Sequence, residues 1–333
     1  MNRRAFLASA TCCVTSASAG AQTLATPRFG AASDYCDGHN GGNLIVVRNG
    51  VVLAEHYAPG LGPTDLLPMG AGARALSTLL AASLTADGLL RLDEAVAMTL
   101  GDWGADPVKA SITIEMLLAG LSGIAFAPGG GRTLADAIAL TPQAPPGSHF
   151  IDDPASYVIF AEIARRKLEA DGQPPDPANY VTNRTLGVIG CSPVGWARSA
   201  DGAPLLYDGA AATGRGWAGV GELIRREGVW RAEQLVDGYT LREAVHGSLA
   251  DPRAGMGLWI AAGGSDANAP FAATDLWHMI PPAPADLVMA AGQSGERLYI
   301  VPSQHLVIAC QPRDASGRGW SDAAFLPLIW RDL

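Results

Sequence analysis

The residues that could support chemistry begin at a glycine-rich turn that leads into an apolar helix. Residues 67–90 carry leucines and alanines at the 3.6-residue spacing that predicts a buried helix. Its first turn holds Ala71 and, three positions later, Arg74. A helix start offers unpaired backbone N–H groups and a positive dipole end, which stabilise a developing oxyanion. The position therefore suits a nucleophile, yet an alanine methyl group has no lone pair with which to attack.

Two serines and six histidines are the other candidates for nucleophilic or metal chemistry. Ser122 in GLSG and Ser294 in GQSG lack the glycine two positions after the serine that a nucleophile elbow requires. Ser122 is therefore interpreted as a turn residue, and Ser294 as either a loop hydroxyl or a ligand-binding residue. The histidines lack the spacing that places two metal ligands on one helix face. We expect neither a metal nor a cofactor.

Composition and charge limit the class of protein. The 333 residues are 48% apolar and 17% charged, which is typical of a globular chain long enough for one large domain or two lobes. No apolar run reaches the length of a transmembrane helix, so we expect no membrane span. A net charge of −9 and a scarcity of basic clusters argue against a nucleic-acid surface. The sequence leaves the oligomeric state open.

Residues 1–21 have the features of a twin-arginine export signal. Arg3 and Arg4 precede a run of small and apolar residues, and the sequence Ala-Gly-Ala at 19–21 provides a cleavage site. This segment predicts a periplasmic or secreted protein. The alternative is an amphipathic start of a cytoplasmic protein.

The cysteines left after removal of this signal are odd in number. They are Cys36, Cys191 and Cys310. An odd number allows at most one disulfide within the chain. The sequence does not say which pair would form it, and isolated buried thiols are the simpler interpretation.

Strand signals lie at both ends of the chain, and helix signals lie between them. Residues 43–57 contain two β-rich runs around Asn49-Gly50, a dipeptide typical of a tight hairpin. Helical periodicity covers residues 155–170 and 216–226, strands return from residue 256, and a terminal helix is expected over 322–332. This order predicts an α/β (α+β) fold in which an antiparallel sheet is built from both chain ends, is flanked by helices and carries an inserted helical lobe. We assign residues 22–66 and 225–333 to the sheet lobe and residues 67–224 to the mainly helical lobe.

Four stretches of sequence carry a family resemblance. They are LIVVRNGVVLAEHYAPG at 44–60, LLAASLTADGLLRLDEAV at 79–96, ITIEMLLAGLSGI at 112–124 and AAGQSGERLYIVPSQHLVIACQ at 290–311. In their order and separation they resemble the serine β-lactamase and penicillin-binding-protein-like superfamily, in particular the class C-related branch that includes 6-aminohexanoate-dimer hydrolases. The resemblance spans residues 43–330 and implies a β-lactamase/transpeptidase-like fold.

The resemblance also locates three catalytic motifs, and the first of them is altered. The family's S-x-x-K places a serine hydroxyl one helical turn before a lysine amine that takes its proton. In this sequence the motif falls on residues 71–74. Ala71 thus replaces the nucleophile, and Arg74 replaces the base although a guanidinium stays protonated near neutral pH.

The second and third motifs are altered as well. The Y-x-N or S-x-N motif, which relays protons and binds substrate, falls on Asp152-Asp153-Pro154. The K-T-G or H-x-G motif falls on Ala290-Ala291-Gly292, of which only the glycine remains. A chain that departs from the family at all three motifs is predicted to lack the family's acylation chemistry.

Two of these changes, to Arg74 and to Asp152, are explained together by charge pairing. If Arg74 and Asp152 occupy the positions of the family's lysine and tyrosine, a cation faces a carboxylate in a pocket where an unpaired charge is costly. We predict a direct ion pair between Arg74 and Asp152 or Asp153. The alternative is that these side chains point to solvent at the rim of the cleft. The candidate ligand-binding residues are Arg74, Asp152, Asp153, Gln293 and Ser294.

The sequence predicts an exported protein of this fold that is catalytically inactive and keeps its cleft for a small amide, ester or peptide-like ligand, or for a partner. One alternative is an active amide or ester hydrolase in which Asp152 or Asp153 activates water while Arg74 and backbone N–H groups stabilise an oxyanion. Another alternative is a structural protein of the cell envelope.

Overall fold

The computed structural model describes residues 28–128, 133–261, 271, 273–317 and 319–333. The predicted export signal and its two cysteines lie outside these residues. Within the described ranges, every helix is too short or too polar to cross a lipid bilayer.

A six-stranded antiparallel sheet forms the centre of the structure. The strands are β1 (Gly41–Arg48), β2 (Val51–Tyr57), β3 (Leu67–Pro68), β4 (Val194–Trp196), β5 (Ala210–Ala212), β6 (Val229–Trp230), β7 (Glu233–Gln234), β8 (Trp259–Ile260), β9 (Val288–Ala291), β10 (Arg297–Val301) and β11 (Leu306–Pro312). The main sheet has the order β2-β1-β11-β10-β9-β8, so strands from both ends of the chain are neighbours. The strands β3, β5 and β4 form a second small sheet, and β6 pairs with β7. The α/β fold with a sheet built from both chain ends is thereby confirmed.

The predicted N-terminal hairpin is confirmed in detail. Strands β1 and β2 pair antiparallel on either side of Asn49 and Gly50. These two residues have φ angles of 53° and 76°. A type I′ turn requires positive φ at both central positions, which asparagine and glycine adopt most readily.

Helices cover both faces of the sheet and fill the middle of the chain. They are α1 (Gly30–Gly38), α2 (Arg74–Ala86), α3 (Ile114–Leu118), α4 (Leu134–Ala139), α5 (Ala155–Ala170), α6 (Pro177–Val181), α7 (Gly214–Arg225), α8 (Gly238–Ala244) and α9 (Asp322–Arg331). Side-chain oxygens of Thr113, Thr213 and Ser321 accept backbone N–H groups at the starts of α3, α7 and α9. These caps satisfy donors that have no partner within the helix.

The sheet separates two apolar cores because successive strand residues face opposite sides. Ile45 of β1 faces the core that contains α2 and α7, whereas Leu44 faces the core that contains α1 and α9. Helix α7 lies directly on the sheet. A Cβ atom on Gly221 of α7 would be only 2.6 Å from Val307 Cγ1, so the glycine permits this close approach.

Helix α2 fixes the position of the candidate site. It follows a 3₁₀ turn, Gly70–Ala73, and most of its residues are buried. The helix ends before Gly88, which has a positive φ of 75°, and the Leu89 N–H donates to the Leu84 carbonyl at 2.8 Å. A glycine in the left-handed region is a common C-terminal cap of an α-helix. Because α2 packs against α5, α6 and α8, the turn at its start is held on a rigid element.

Candidate functional site

The turn that precedes α2 lies against the end of β9. A Cβ atom on Gly72 would be 3.6 Å from the Ala291 backbone nitrogen, and one on Gly292 would be 3.2 Å from the Ala71 backbone nitrogen. The first and third motif positions, which lie near opposite ends of the sequence, are therefore neighbours in space. At this junction the side chain of position 71 is a methyl group.

Arg74 and Asp152 form a direct ion pair, in which Arg74 Nη1 donates to Asp152 Oδ1. The predicted pair is confirmed, and it involves Asp152 and not Asp153. The Arg74 side chain is 13% exposed and that of Asp152 is 27% exposed. The pair is therefore shielded from water more than a typical surface pair, which raises the cost of losing either partner.

Tyr157 of α5 lies beside this ion pair and was not among the predicted site residues. The guanidinium carbon of Arg74 is 5.3 Å from the centre of its ring, a cation–π arrangement. The Tyr157 hydroxyl donates to the Leu118 carbonyl at 3.2 Å. Burial, reinforced by the nearby Asp152 and opposed by Arg74, raises the pKa of Tyr157 to about 12. Near neutral pH this phenol stays protonated and cannot act as a base.

A small cavity is lined both by the predicted residues Ala71, Arg74 and Asp152 and by Tyr157. Its volume is about 20 Å³, which is space for about one water molecule. The lining comprises Ala71, Arg74, Leu118, Gly120, Phe150, Ile151, Asp152, Tyr157, Gly255, Gly257, Leu258 and Trp259. Apolar side chains and glycines thus surround one charged pair.

Asp153 and Pro154 contribute to the start of α5. Asp153 Oδ1 accepts the backbone N–H groups of Phe126 at 3.1 Å and Ala155 at 2.8 Å. Pro154 occupies the N-cap position with a φ of −65°. The second motif thus places one side chain, Asp152, at the cavity, while the next two residues shape the backbone that holds it.

The segment after β9 carries the last two predicted ligand residues. Gln293 is exposed. The Ser294 hydroxyl donates to the Ala315 carbonyl at 2.9 Å, and the Ser294 N–H donates to Glu296 Oε2 at 2.8 Å. Ser294 therefore has the hydrogen bonds of an ordered loop hydroxyl.

Glu296 is a second residue that the sequence did not reveal. Its side chain is buried, and its carboxylate lies between the turn before α2 and the end of β9. A Cβ atom on Gly70 would be 2.5 Å from Glu296 Oε1, and one on Gly292 would be 2.3 Å from Oε2. A side chain at either position would therefore have to displace this carboxylate, and the φ of 49° at Gly70 also favours glycine. The two glycines were the only sequence signal of this contact, and they do not identify the residue that fills the space.

The described residues contain no group of three or more His, Cys, Asp or Glu side chains placed to hold a metal ion. The polar side chains at the cavity carry one cation, one carboxylate, one phenol and the indole N–H of Trp259, and backbone groups lie beside them. These groups can form hydrogen bonds and balance charge.

The sequence profile of the Beta-lactamase family matches residues 32–277. This chain belongs to the beta-lactamase family. No curated protein sequence matches it.

Solved structures with the beta-lactamase family fold are similar to this chain along most of its length. A Bacillus anthracis protein assigned as a 6-aminohexanoate-dimer hydrolase has a TM-score of 0.70 and 16% identity, with 90% of this chain and 80% of that chain covered. A penicillin-binding protein homologue from Caulobacter crescentus has a TM-score of 0.67 and 16% identity, with 92% and 98% covered. D-alanine carboxypeptidase AmpC from Burkholderia cenocepacia has a TM-score of 0.63 and 16% identity, with 91% and 98% covered. At these identities the likeness establishes the fold.

Proposed function

We propose that this beta-lactamase family protein forms no acyl-enzyme and binds a small amide, ester or peptide-like ligand at the opening of its cleft. The observation that carries the proposal is the Arg74–Asp152 ion pair beside Ala71. No nucleophile stands at position 71, and the cation that replaces the family's base is held by a carboxylate. A cation and an acceptor side by side suit a ligand that has both hydrogen-bond acceptors and donors, as an amide has.

The small size of the cavity is our reason for proposing that the ligand binds at its opening. A volume of about 20 Å³ cannot enclose a molecule larger than water. Phe150 and Trp259 line the cavity with their rings 5.7 Å apart and nearly perpendicular, which provides an apolar wall. Gln293 is exposed and follows Gly292 at the end of β9, and we propose that its amide contacts the same ligand although it does not line the cavity.

The names of the similar structures support this ligand class. They include proteins named as a 6-aminohexanoate-dimer hydrolase, a D-alanine carboxypeptidase and a family VIII carboxylesterase. These names are our reason for choosing amides and esters as the ligand class. We also propose that the chain acts in the periplasm or outside the cell, on the basis of the twin-arginine-like residues 1–21.

A covalent probe tests the absence of acylation. We expect the protein to remain unlabelled by a fluorescent fluorophosphonate and by a fluorescent penicillin. The triple variant Ala71→Ser/Arg74→Lys/Asp152→Tyr restores the family's residue types at positions 71, 74 and 152. We expect this variant to be labelled. The matched control Ala73→Ser/Arg74→Lys/Asp152→Tyr places the hydroxyl two residues away on the same turn and should stay unlabelled. Covalent labelling of the unmodified protein contradicts the proposal.

Thermal unfolding tests ligand binding. We expect millimolar linear 6-aminohexanoate dimer or D-alanyl-D-alanine to raise the Tm, because a ligand that binds only the folded state stabilises it. The effect should disappear in Arg74→Gln/Asp152→Asn, which replaces both charged groups with neutral amides. Turnover of p-nitrophenyl acetate that is lost in Asp152→Asn would instead favour Asp152 as a base that activates water. An unchanged Tm with both probes contradicts binding of this ligand class.

A further inference from the structure

Cys36 and Cys310 lie next to each other in the core between the sheet and helices α1 and α9. Their Sγ atoms are 3.8 Å apart, and both side chains are buried. Cys36 is near the end of α1, and Cys310 is in β11, opposite Leu44 of β1. All three described cysteines are free thiols. We expected isolated thiols from the sequence, whereas Cys36 and Cys310 are in contact.

The backbone around Cys36 holds its side chain over the sheet. A Cβ atom on Gly41, the first residue of β1, would be 2.5 Å from the Cys36 carbonyl oxygen and 2.9 Å from the Cys36 Cβ. The His39 N–H donates to the same carbonyl oxygen at 3.0 Å. Because the chain passes so tightly from α1 into β1, the Cys36 backbone is held beside the start of β1.

We propose that Cys36 and Cys310 form an intramolecular disulfide under oxidising conditions. A disulfide has an S–S length of about 2.05 Å, so the two sulfur atoms must approach by slightly less than 2 Å for the bond to form. Cys191 is not a competing partner. It lies in the other core, where a Cβ atom on Gly216 would be 2.9 Å from its Sγ, and the sheet separates it from the pair.

The reaction is a thiol–disulfide exchange with a small disulfide such as oxidised glutathione. One cysteine thiolate attacks a sulfur of this disulfide, releases one glutathione thiolate and leaves a mixed disulfide on the protein. The second cysteine loses its proton to solvent, attacks the protein sulfur of the mixed disulfide and releases the second glutathione thiolate. The two cysteines lose two electrons, and the glutathione disulfide gains them.

The two thiols are buried beneath α1, so the exchange depends on whether this helix is docked. Burial and the contact with Cys36 raise the pKa of the Cys310 thiol, so the attacking thiolate is scarce while the core is closed. Helix α1 is nine residues long, and its detachment would expose the pair. The disulfide therefore forms during folding or when α1 opens, and it then joins positions that are 274 residues apart.

Peptide mapping of the full chain, refolded in a glutathione redox buffer, tests the proposal. We expect one cross-linked peptide pair that contains Cys36 and Cys310, with Cys191 recovered as a free thiol. The oxidised protein should have a Tm about 5 °C above that of the reduced protein, because the cross-link closes a long loop. Cys191→Ala should keep both the linked peptide and the Tm difference, whereas Cys310→Ala should lose both.

The mapping of the unmodified chain decides the outcome even if a variant folds poorly. Recovery of Cys36 and Cys310 as free thiols in folded, refolded protein overturns the proposal. A link from either residue to Cys191, Cys12 or Cys13 overturns it as well.

Discussion

At the scale of single residues, the candidate site is defined by a pair of complementary changes. A permanently charged Arg74 in a largely buried position is tolerated because Asp152 lies against it and the ring of Tyr157 is nearby. Without its partner, either Arg74 or Asp152 would be a partly buried, unpaired charge, and its desolvation would cost stability. Arg74 and Asp152 thus form a charge-balanced pair.

The first prediction concerns the loss of one partner. Asp152→Asn leaves the guanidinium of Arg74 without its counter-charge, and we expect the free energy of unfolding to fall by about 1–3 kcal/mol. Arg74→Met in the same chain removes the unpaired cation and should recover part of this loss. Urea unfolding measures both effects.

The control for this prediction is an exposed pair of the same chemistry. Arg91 and Asp93 are bonded to each other at the surface, so Asp93→Asn should leave the free energy of unfolding unchanged within error. Equal losses in Asp93→Asn and Asp152→Asn would contradict the role of burial at the site.

The second prediction concerns alkaline stability. The pKa of Tyr157 is about 12 in the folded chain and 10.0 for a free side chain, so between these values only the folded chain keeps the proton. Stability from this group is complete below about pH 10 and is lost as the pH rises toward 12, with a slope of about 1.4 kcal/mol per pH unit. Tyr157→Phe should make the pH dependence of the unfolding free energy shallower by this slope. The exposed Tyr239→Phe serves as the control, and an unchanged slope in Tyr157→Phe contradicts the prediction.

The residues of the site differ in how visible they are in the sequence. Ala71, Arg74 and Asp152 are predicted from the family resemblance, because Gly88 and the stretch at 145–150 mark where the first two motifs would fall. Tyr157 and Glu296 do not follow from any motif. A tyrosine in an amphipathic helix is indistinguishable from a core aromatic, and a glutamate before a strand is indistinguishable from a surface residue until the packing is known.

At the scale of elements, helix α7 shows how close packing supports the sheet. Gly221 lies where a Cβ atom would be 2.6 Å from Val307 Cγ1 and 3.0 Å from Leu298 Cδ1. Side chains of β10 and β11 therefore occupy the space that any other residue would need. This contact holds the strands whose neighbour, β9, ends at the candidate site.

The third prediction tests this contact. Gly221→Ala improves helix propensity by about 1 kcal/mol but creates a steric overlap that costs about 1–3 kcal/mol or more. We therefore expect a net loss of stability in urea unfolding. Gly104→Ala, at a position with no neighbouring atom within 4 Å, is the control and should not destabilise the chain. A stabilised Gly221→Ala variant would contradict the packing argument.

At the scale of the whole molecule, a buried polar network joins the C-terminal helix to the candidate site. Arg297 Nε donates to Asp322 Oδ1 at 2.8 Å, and Arg297 Nη1 donates to the Gly292 carbonyl at 2.8 Å. The hydroxyls of Tyr299 and Thr274 also donate to the Asp322 carboxylate. The side chains of Arg297 and Asp322 are fully buried, so this network fixes α9 and the end of β9 relative to each other.

The fourth prediction follows from this burial. Asp322→Asn leaves Arg297 as an uncompensated buried cation, and we expect a loss of about 3–5 kcal/mol in the free energy of unfolding. Asp34→Asn, at an exposed position on α1, is the control and should change little. A loss below about 1 kcal/mol in Asp322→Asn would contradict the network's structural role.

The sequence by itself determined the family and the order of elements, and it predicts the loss of the acylation groups. These are local properties, because hydrophobic periodicity, an Asn-Gly turn and motif spacing are each encoded within a few residues. Only the tertiary structure decided that Asp152 and not Asp153 meets Arg74, that the cavity beside Ala71 has a volume of about 20 Å³, and that Cys36 lies against Cys310. Each of these three features depends on how side chains that are distant in the sequence pack together in the interior. A local sequence pattern does not specify that packing.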